Sequence, residues 1–503
     1  MPLKMDEGYS TMNYARKKAN AIITMDISTS IAKHANAHSA WKTSISPVLN
    51  YPKDSTPTLF PSSSKANALN VERRKPPPNI IYIKKNKMPH THHIAIIGGG
   101  AAGFFAAIET KRNFPHADIT IFEKNSQVLA KVEITGGGRC NLTNSFDEIS
   151  DLKQAYPRGH KLMKRLFKRF DYRHAYEWFE KNGVPLVTQE DQCVFPQSQD
   201  SHSIIDCLVN TAKMLGIKIQ CNHQLTDITE LEDERLLLDF KTNKGVSAES
   251  KQIAFDRVAI TTGGHPRIDS FEYLADLGHT IEHPIPALFT FNIADKALKN
   301  LMGTVVDPVF TSIPGSKIKA EGALLITHWG MSGPAILKLS SHAARHLHEN
   351  NYQIKISVNW IHESNRTCVE ENIQGIITAN PQKQLANIRP YNLPSRLWLY
   401  LIQKMGYEPE KKWSEMGKKG CNLLIETLTN DLYQVNGKGA FKEEFVTCGG
   451  VSLSNIDLHT LESKVCPHLF FAGEVLDIDA ITGGFNLQAA WTTGYVVGQH
   501  IGE

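Results

Sequence analysis

The chain has 503 residues, of which 41% are hydrophobic and 21% charged, a composition typical of a globular protein with two or three domains. Its net charge of +4 is unevenly distributed, because residues 1–87 carry 14 Lys and Arg against 5 Asp and Glu, whereas the remainder carries 41 against 46. No apolar run approaches the roughly 18 residues of a membrane-spanning helix, and the mildly acidic remainder gives no electrostatic reason for nucleic-acid binding. We therefore expect neither a membrane nor a nucleic acid as a partner.

Residues 1–87 lack a sustained apolar period and contain patches rich in Ser, Thr and Pro, so we predict a mostly disordered, basic N-terminal extension. Three explanations remain open: an organelle transit peptide, which the acid-poor, Ser-rich composition would suit, a regulatory tail, or an upstream extension of the reading frame. We favour the last, because Met88 directly precedes the first clear strand.

The cysteines give no sign of a disulfide framework or a metal site. All eight are scattered, at positions 140, 193, 207, 221, 368, 421, 448 and 466. They form no C-x-x-C pair, and no Cys/His cluster has the spacing typical of zinc. This pattern predicts reduced thiols, a cytoplasmic location and no bound metal.

From Thr91 onward, hydrophobic periodicity predicts regular structure. The expected elements are strands at 93–97, 119–122, 217–220, 257–260 and 469–472, and helices at 101–112, within 158–182, at 201–216 and from about 486. Short strands separated by Gly and Pro predict a β-rich region between about 285 and 358, and residues 365–432 are mainly helical in pattern.

The first strand is followed by a glycine loop. Gly98, Gly100 and Gly103 form a G-x-G-x-x-G motif that includes Ala101 and Ala102 and opens the first helix. In such a motif the first glycine allows the tight turn, the second lets the backbone approach a pyrophosphate, and the third lets helix and strand pack closely. The helix N-terminus offers free N–H groups to the phosphates.

An acidic residue stands where this interpretation requires one. Glu123 ends the second strand, 20 positions after Gly103, where a carboxylate can accept hydrogen bonds from ribose hydroxyls. Nucleotide binding is predicted by the whole arrangement, in which a strand, the glycine loop, a helix, a second strand and an acid follow at the expected spacing. The alternative is a purely structural glycine turn.

A second glycine-rich segment spans residues 131–144, with sequence KVEITGGGRCNLTN. Three consecutive glycines let the backbone lie against a flat or phosphorylated ligand, while Arg139 and Asn141 can donate hydrogen bonds. The segment closely resembles the K-x-x-x-S-G-G-G-R-C-N-x-T-N signature of a family of FAD-dependent oxidoreductases. These flavoproteins are called HI0933-like, aminoacetone-oxidase-like or bile-acid-reductase-like. Thr135 replaces the more usual Ser and keeps the hydroxyl.

Three further segments resemble the same family. Residues 261–264 (TTGG) look like the turn where such chains rejoin the FAD domain, and residues 327–334 (THWGMSGP) resemble the T-H-x-G-x-S-G-P motif. Residues 471–488 (FAGEVLDIDAITGGFNLQ) are similar to the closing FAD motif. There a helix N-terminus could face the flavin's N1/C2 carbonyl edge, where negative charge collects on reduction.

The resemblance implies an α/β fold in which a Rossmann-like FAD-binding domain is interrupted by a small β-barrel and a helical insert. We place the FAD-binding domain at 88–284 and 447–503, the β-barrel at 285–362 and 426–446, and the helical insert at 363–425. The predicted cofactor-binding residues are Gly98, Gly100, Ala101, Ala102, Gly103, Glu123, Lys124, Lys131, Thr135, Gly136, Gly137, Gly138, Arg139, Cys140, Asn141, Thr262, Gly263, Gly264, Gly473, Glu474, Asp477, Gly483, Gly484, Asn486 and Leu487.

Two residues are candidates for catalysis. His328 precedes the Gly330/Gly333 turn and could donate a proton or orient a substrate, although a structural histidine is the competing interpretation. Cys140 could lie near the flavin, but a redox thiol needs a low pKa and a partner, and no C-x-x-C supplies one. Packing or cofactor contact is the alternative for Cys140.

The expected function is FAD-dependent oxidation or reduction of a small or medium organic substrate. The resemblance implies either amine oxidation or NAD(P)H-dependent reduction of an activated double bond. Because the sequence has no second G-x-G-x-x-G, NAD(P)H would bind transiently in the cleft between the insert and the FAD domain. A flavin-binding regulatory or scaffold protein without turnover is the alternative, and the sequence predicts no particular oligomeric state.

Overall fold

The computed structural model describes residues 91–244, 247–439 and 446–503. The predicted extension at 1–87 lies outside these ranges, as do residues 440–445, near the end of the predicted second β-barrel segment at 426–446. Among the described residues, no helix is long and apolar enough to cross a membrane.

The strands are numbered in chain order. They are β1 His93–Ile97, β2 Asp118–Phe122, β3 Thr143–Asn144, β4 Leu186–Thr188, β5 Cys193–Pro196, β6 Lys218–Gln220, β7 His223–Glu230, β8 Leu236–Lys244, β9 Ser247–Phe255, β10 Arg257–Ile260, β11 Ile281–Ala287, β12 Phe291–Ile293, β13 Val305–Ser312, β14 Lys319–Ile326, β15 Gly330–Ser332, β16 Gln353–Asn359, β17 Asp431–Lys438, β18 Val446–Val451 and β19 Leu469–Phe471.

The α-helices are numbered in the same way. They are α1 Ala101–Asn113, α2 Ala130–Ile134, α3 Leu152–Ala155, α4 His160–Leu166, α5 Tyr172–Lys181, α6 His202–Met214, α7 Glu272–Asp276, α8 Lys296–Lys299, α9 Pro334–His342, α10 Ala344–Glu349, α11 Arg366–Ala379, α12 Ser395–Lys404, α13 Gly417–Thr429 and α14 Phe485–His500.

The FAD-domain part of the chain is built on a five-stranded parallel sheet in the order β19-β10-β1-β2-β6. Its middle strand β1 is an apolar run that is buried beyond His93, as expected for a strand covered on both faces. Because the strands are parallel, their carboxyl ends meet at one edge, and the loops after β1, β2, β10 and β19 are therefore neighbours.

A three-stranded antiparallel sheet, β7-β8-β9, precedes β10 and was absent from the sequence-based prediction. It packs on the parallel sheet through Phe240, whose ring stacks on that of Phe122 with centroids 4.4 Å apart. Buried residues alternate along its middle strand at Leu236, Leu238 and Phe240, the period-two signal of a strand with one covered face.

The insert is a closed six-stranded barrel in the order β12-β15-β14-β13-β16-β17, with its own hydrophobic core. Helices α11–α13 lie between β16 and β17 in the chain. Trp398 of α12 and Trp413 of the turn between α12 and α13 belong to that core. Strands β11 and β18 pair antiparallel where the chain enters and leaves the insert. The predicted fold class, a Rossmann-like unit interrupted by a barrel and helices, is confirmed.

Candidate functional site

The loop after β1 contains glycines that the fold itself requires. Gly98 has φ +112°, and a Cβ there would lie 2.5 Å from the carbonyl oxygen of Thr261. A Cβ on Gly103 would lie 2.0 Å from the carbonyl oxygen of Gly98. Both positions bring the loop and α1 directly against the end of β10, so any larger residue would push them apart.

Gly100 differs from these two. Its φ of −95° suits any residue, and a Cβ there would meet no atom within 4 Å. Gly100 is also the N-cap of α1, where no side chain caps the free N–H groups and no acidic residue occupies the first turn. The protein therefore leaves an open approach to a positively polarised helix end, which is the arrangement that binds a pyrophosphate.

Glu123, at the end of β2, holds this loop in place. Its Oε2 accepts a hydrogen bond from the Gly99 N–H at 2.9 Å, and its Oε1 accepts from the backbone and side chain of Asn125, both at 2.9 Å. The carboxylate is buried beside the loop, and Lys124 next to it is exposed. Glu123 therefore lies beside the glycine loop, and its role as the ribose-binding acid stays a prediction.

The second glycine segment has an unusual backbone. Gly136, Gly137 and Gly138 have φ of +63°, +70° and +85°, three successive left-handed residues that side chains would strain. The Arg139 guanidinium lies 4.3 Å from the centroid of the Phe195 ring and donates to Gln199 at 3.3 Å. Arg139 is therefore held by the protein itself, an anchoring role that the sequence did not reveal.

Cys140 follows in a left-handed conformation and is fully buried. Burial raises the pKa of its thiol to about 12, so the thiol is protonated at neutral pH. A thiolate is the reactive form of cysteine, so this environment favours packing or cofactor contact over redox chemistry.

The same segment is joined to the N-terminus of α14. With its amide oriented to satisfy both of its atoms, Asn141 donates to the Thr143 carbonyl at 3.0 Å and accepts from the Gly484 N–H at 3.2 Å. Thr143 donates to Gln488 at 2.6 Å. A Cβ on Gly484 would lie 2.3 Å from the Thr143 carbonyl oxygen, so glycine is required there. Like α1, α14 begins without a side-chain cap or an early acid.

A third contact closes the site at the ends of β10 and β19. Lys131 Nζ lies 3.0 Å from Glu474 Oε2, and Glu474 Oε1 accepts from the Thr447 N–H at 2.9 Å. A Cβ on Gly264 would lie 2.7 Å from the Glu474 carboxylate carbon. Lys131, Gly264 and Glu474 come from three different predicted motifs and meet at one edge of the sheet. Lys131 and Glu474 are 343 positions apart in the sequence.

The other predicted cofactor residues lie on the same elements. Ala101 and Ala102 lie in the first turn of α1, Thr135 directly follows α2, and Thr262 and Gly263 lie two and three residues after β10. Gly473 follows β19, and a Cβ there would lie 2.9 Å from the Ala102 side chain. The Asn486 amide accepts from the Ala480 N–H at 2.9 Å and donates to its carbonyl at 3.0 Å, which closes the loop around Gly483; Leu487 is in the first turn of α14.

Sequence reasoning missed a buried ion pair beside these motifs. Arg158 forms two hydrogen bonds to the carboxylate of Asp479 and donates to the Ser341 carbonyl at 2.8 Å. Burial raises the pKa of Asp479 to about 6, against the opposing effect of the Arg158 guanidinium. Asp477, a predicted cofactor residue, lies 3.4 Å from Arg345. Asp479 stands in the closing motif, but nothing in the sequence linked it to Arg158.

His328 lies on the exposed turn between β14 and β15, with its ring 4.8 Å from that of Trp329. Within the described ranges, no hydrogen bond joins it to a predicted cofactor residue. Its catalytic role stays a prediction.

The donor set fits a dinucleotide that carries negative charge on its pyrophosphate and, once reduced, at the N1/C2 carbonyl edge of its flavin. Two helix N-termini lack internal caps, the surface at Gly100 is open, and the acid at Glu123 lies beside the loop. These are the features by which Rossmann-type units bind FAD.

Comparison with known proteins gives the family. The family described as HI0933-like protein Rossmann domain matches residues 92–500. The 3-dehydro-bile acid delta(4,6)-reductase of Clostridium scindens is 27% identical over 420 residues, which cover 82% of this chain and 99% of the relative. The ribosomal RNA dihydrouridine synthase of Escherichia coli is 24% identical over 420 residues, covering 81% and 97%.

Among solved structures, the 3-ketosteroid delta1-dehydrogenase of Sterolibacterium denitrificans aligns with a TM-score of 0.41 and 11% identity, covering 82% of this chain and 99% of that chain. The family match spans both parts of the parallel-sheet unit and the insert between them. The chain belongs to the HI0933-like family and is an FAD-dependent oxidoreductase.

Proposed function

We propose that the protein uses FAD to reduce a carbon–carbon double bond conjugated with a carbonyl group. The observation that carries this proposal is the chemistry shared by the names of its relatives. A 3-dehydro bile acid with delta(4,6) unsaturation has its double bonds conjugated with a ketone. Dihydrouridine is uridine whose ring double bond, also conjugated with a carbonyl, has been reduced. A carbonyl in conjugation makes the far carbon of the double bond electrophilic, which suits hydride addition.

The residues at the sheet edge have distinct parts in this proposal. The free N–H groups of α1 at Gly100 would hold the pyrophosphate, and Glu123 would accept hydrogen bonds from ribose hydroxyls. The α14 N-terminus at Gly484 would face the edge of the flavin where negative charge gathers on reduction. FAD, when bound, supplies hydride transfer between a reduced nicotinamide and the double bond.

NAD(P)H is the proposed electron donor. With no second glycine motif in the sequence, we place its transient site beside the barrel insert. His328, on the β14–β15 turn, remains the candidate that donates a proton to the substrate or orients it, because histidine is the side chain that most often does such acid–base work.

The test is an anaerobic visible-spectrum titration of the full-length protein loaded with FAD. We expect NADH or NADPH to bleach the flavin absorbance and a 3-oxo-4,6-diene steroid or a uridine-containing RNA to restore it, with one double bond reduced per flavin reoxidised. Bleaching by a primary amine, with peroxide formed in air, would instead support an amine oxidase. Redox cycling no faster than that of free FAD with every donor would favour the non-catalytic alternative.

A further inference from the structure

A short segment, residues 155–159, runs beside the loop that precedes α14. A backbone β-bridge joins Arg158 to Asp479, and the Ile481 N–H donates to the Ala155 carbonyl at 2.9 Å. The two segments are therefore held together by their backbones as well as by side chains. Because α14 begins only a few residues later, this contact lies next to the helix N-terminus that we assign to the flavin edge.

Two further contacts tie the same segment to the start of α14. Tyr156 donates to the carbonyl of Phe485, the first residue of α14, at 2.9 Å. A Cβ on Gly159 would lie 2.7 Å from the Ile478 side chain, so the backbones of the two segments approach closely. Residues 155–159 thus form part of the structure that positions the flavin end of the proposed site.

This contact contains a buried ion pair. Arg158 donates to both carboxylate oxygens of Asp479, and its Nη1 donates to the Ser341 carbonyl at 2.8 Å. The side chain of Asp479 is fully buried, and that of Arg158 is 12% exposed. Charges buried this deeply are screened much less than surface charges, so each acts on groups beyond its direct contacts.

The surrounding groups leave Asp479 as the counter-ion of Arg158. Burial raises the pKa of the Cys448 thiol to about 12, while burial and the Arg158 cation lower the pKa of His342, so both are neutral near pH 7. Arg345 lies 3.4 Å from Asp477 and 4.0 Å from Glu282, so these three charges are paired with one another. The titratable and charged groups that face the pair, directly or through Asp477, are Glu474, Asp477, Cys448, Glu282, His342 and Arg345.

We propose that Arg158 and Asp479 are positioning residues that set how strongly the site prefers reduced FAD over oxidised FAD. The proposal rests on the proposed function, in which reduced FAD gives a hydride to the substrate. Reduction places negative charge at the N1/C2 carbonyl edge of the flavin, which the α14 N-terminus and a buried guanidinium would both stabilise. By neutralising Arg158, Asp479 limits this stabilisation and keeps the reduced flavin a strong hydride donor.

The experiment measures the two-electron midpoint potential of the full-length, FAD-loaded protein. Wild type is compared with Asp479→Asn, with Arg158→Met and with the double variant, each in anaerobic equilibrium with a reference redox dye at about pH 8 and about pH 5.5. The matched control is Asp431→Asn, which removes another buried carboxylate, paired with Lys404 at 2.6 Å, from the barrel insert.

At about pH 8 we expect Asp479→Asn to prefer reduced FAD about tenfold or more strongly than wild type does, because Arg158 is left without its counter-ion. Tenfold is a rise of about 30 mV for a two-electron couple. The double variant should lose this rise and stay within about twofold of Arg158→Met, and the control should stay within about twofold of wild type.

The difference between Asp479→Asn and wild type should narrow at about pH 5.5. Burial raises the pKa of Asp479 to about 6, against the opposing effect of Arg158. Below that pH the wild-type carboxyl is protonated, and Arg158 is then unneutralised in wild type as it is in the variant.

Equal potentials of wild type and Asp479→Asn at about pH 8 would overturn the proposal, as would a rise that persists without Arg158 or an equal rise in the control. Loss of FAD from both single variants would also overturn it, because the pair would then serve folding or cofactor retention alone. These measurements use no substrate. If they agree with expectation while neither steroid nor RNA reoxidises the flavin, the proposed function fails and the role of the pair stands.

Discussion

At the scale of single residues, Gly98, Gly100 and Gly103 are glycines for different reasons. The fold requires glycine at position 98, where the backbone has a positive φ, and at position 103, where a Cβ would collide with the carbonyl oxygen of Gly98. Gly100 has an ordinary φ and open space around it. The fold therefore does not require glycine at position 100, whereas a pyrophosphate bound against the backbone there would require it.

This distinction predicts opposite behaviour of two alanine variants. Gly100→Ala should leave the unfolding free energy of the apoprotein within about 0.5 kcal/mol of wild type but weaken FAD binding by about tenfold or more, because its methyl group occupies the phosphate approach. Gly98→Ala, the control, should destabilise the apoprotein by about 1–3 kcal/mol. Urea unfolding and FAD fluorescence titration measure the two quantities. A Gly100→Ala protein that binds FAD as well as wild type would exclude a phosphate site at this position.

Two helices deserve comparison at the scale of elements, because α1 and α14 both present a free N-terminus at the sheet edge and pack along each other. A Cβ on Gly494 would lie 2.8 Å from the Ala102 carbonyl oxygen, and one on Gly498 would lie 2.5 Å from the Glu109 side chain. Small residues at this contact let the two helix axes approach closely, and the contact fixes the relative position of their N-termini.

We therefore predict that Gly498→Ala lowers the unfolding free energy by about 1–3 kcal/mol through overpacking. The matched control is Gly375→Ala at an exposed position of helix α11, where a Cβ would meet no atom within 4 Å. That substitution should raise stability by about 0.5–1 kcal/mol, because alanine loses less backbone entropy than glycine in a helix. Chemical denaturation of both variants measures the difference, and a Gly498→Ala protein as stable as wild type would show that the helices are not in close contact.

Elements with a strong local signal were predictable from the sequence. The strand, glycine loop, helix and acid at 93–123 follow from periodicity and spacing, and their placement agrees with the structure. The antiparallel sheet β7–β9 was missed, although Leu236, Leu238 and Phe240 alternate along it, because the segment has few turn residues to mark its strands. Its burial against Phe122 is a tertiary contact that no local pattern contains.

The same limit applies inside the site. The glycine segments could be read individually, but the contacts of Asn141 with Gly484 and of Lys131 with Glu474 join residues more than 300 positions apart. The Arg158–Asp479 pair and the retention of Arg139 over Phe195 depend on the same long-range packing. Spacing along one chain predicts which residues belong to a motif, but it does not predict what lies across from them.

At the scale of the whole molecule, the parallel-sheet unit and the barrel insert each have a hydrophobic core. All the predicted FAD segments belong to the parallel-sheet unit, in which the loops after β1, β2, β10 and β19 converge. We therefore propose that the cofactor binds at one edge of this unit, across segments that come from both ends of the described chain.

The most direct test is amide hydrogen exchange of the apoprotein with and without one equivalent of FAD, read by mass spectrometry. We predict that FAD slows exchange in peptides covering residues 98–104, 136–144, 261–264 and 473–488 together, with little change in barrel peptides such as 305–326. Protection confined to the barrel, or no protection at residues 98–104, would contradict the assignment of this sheet edge as the FAD site.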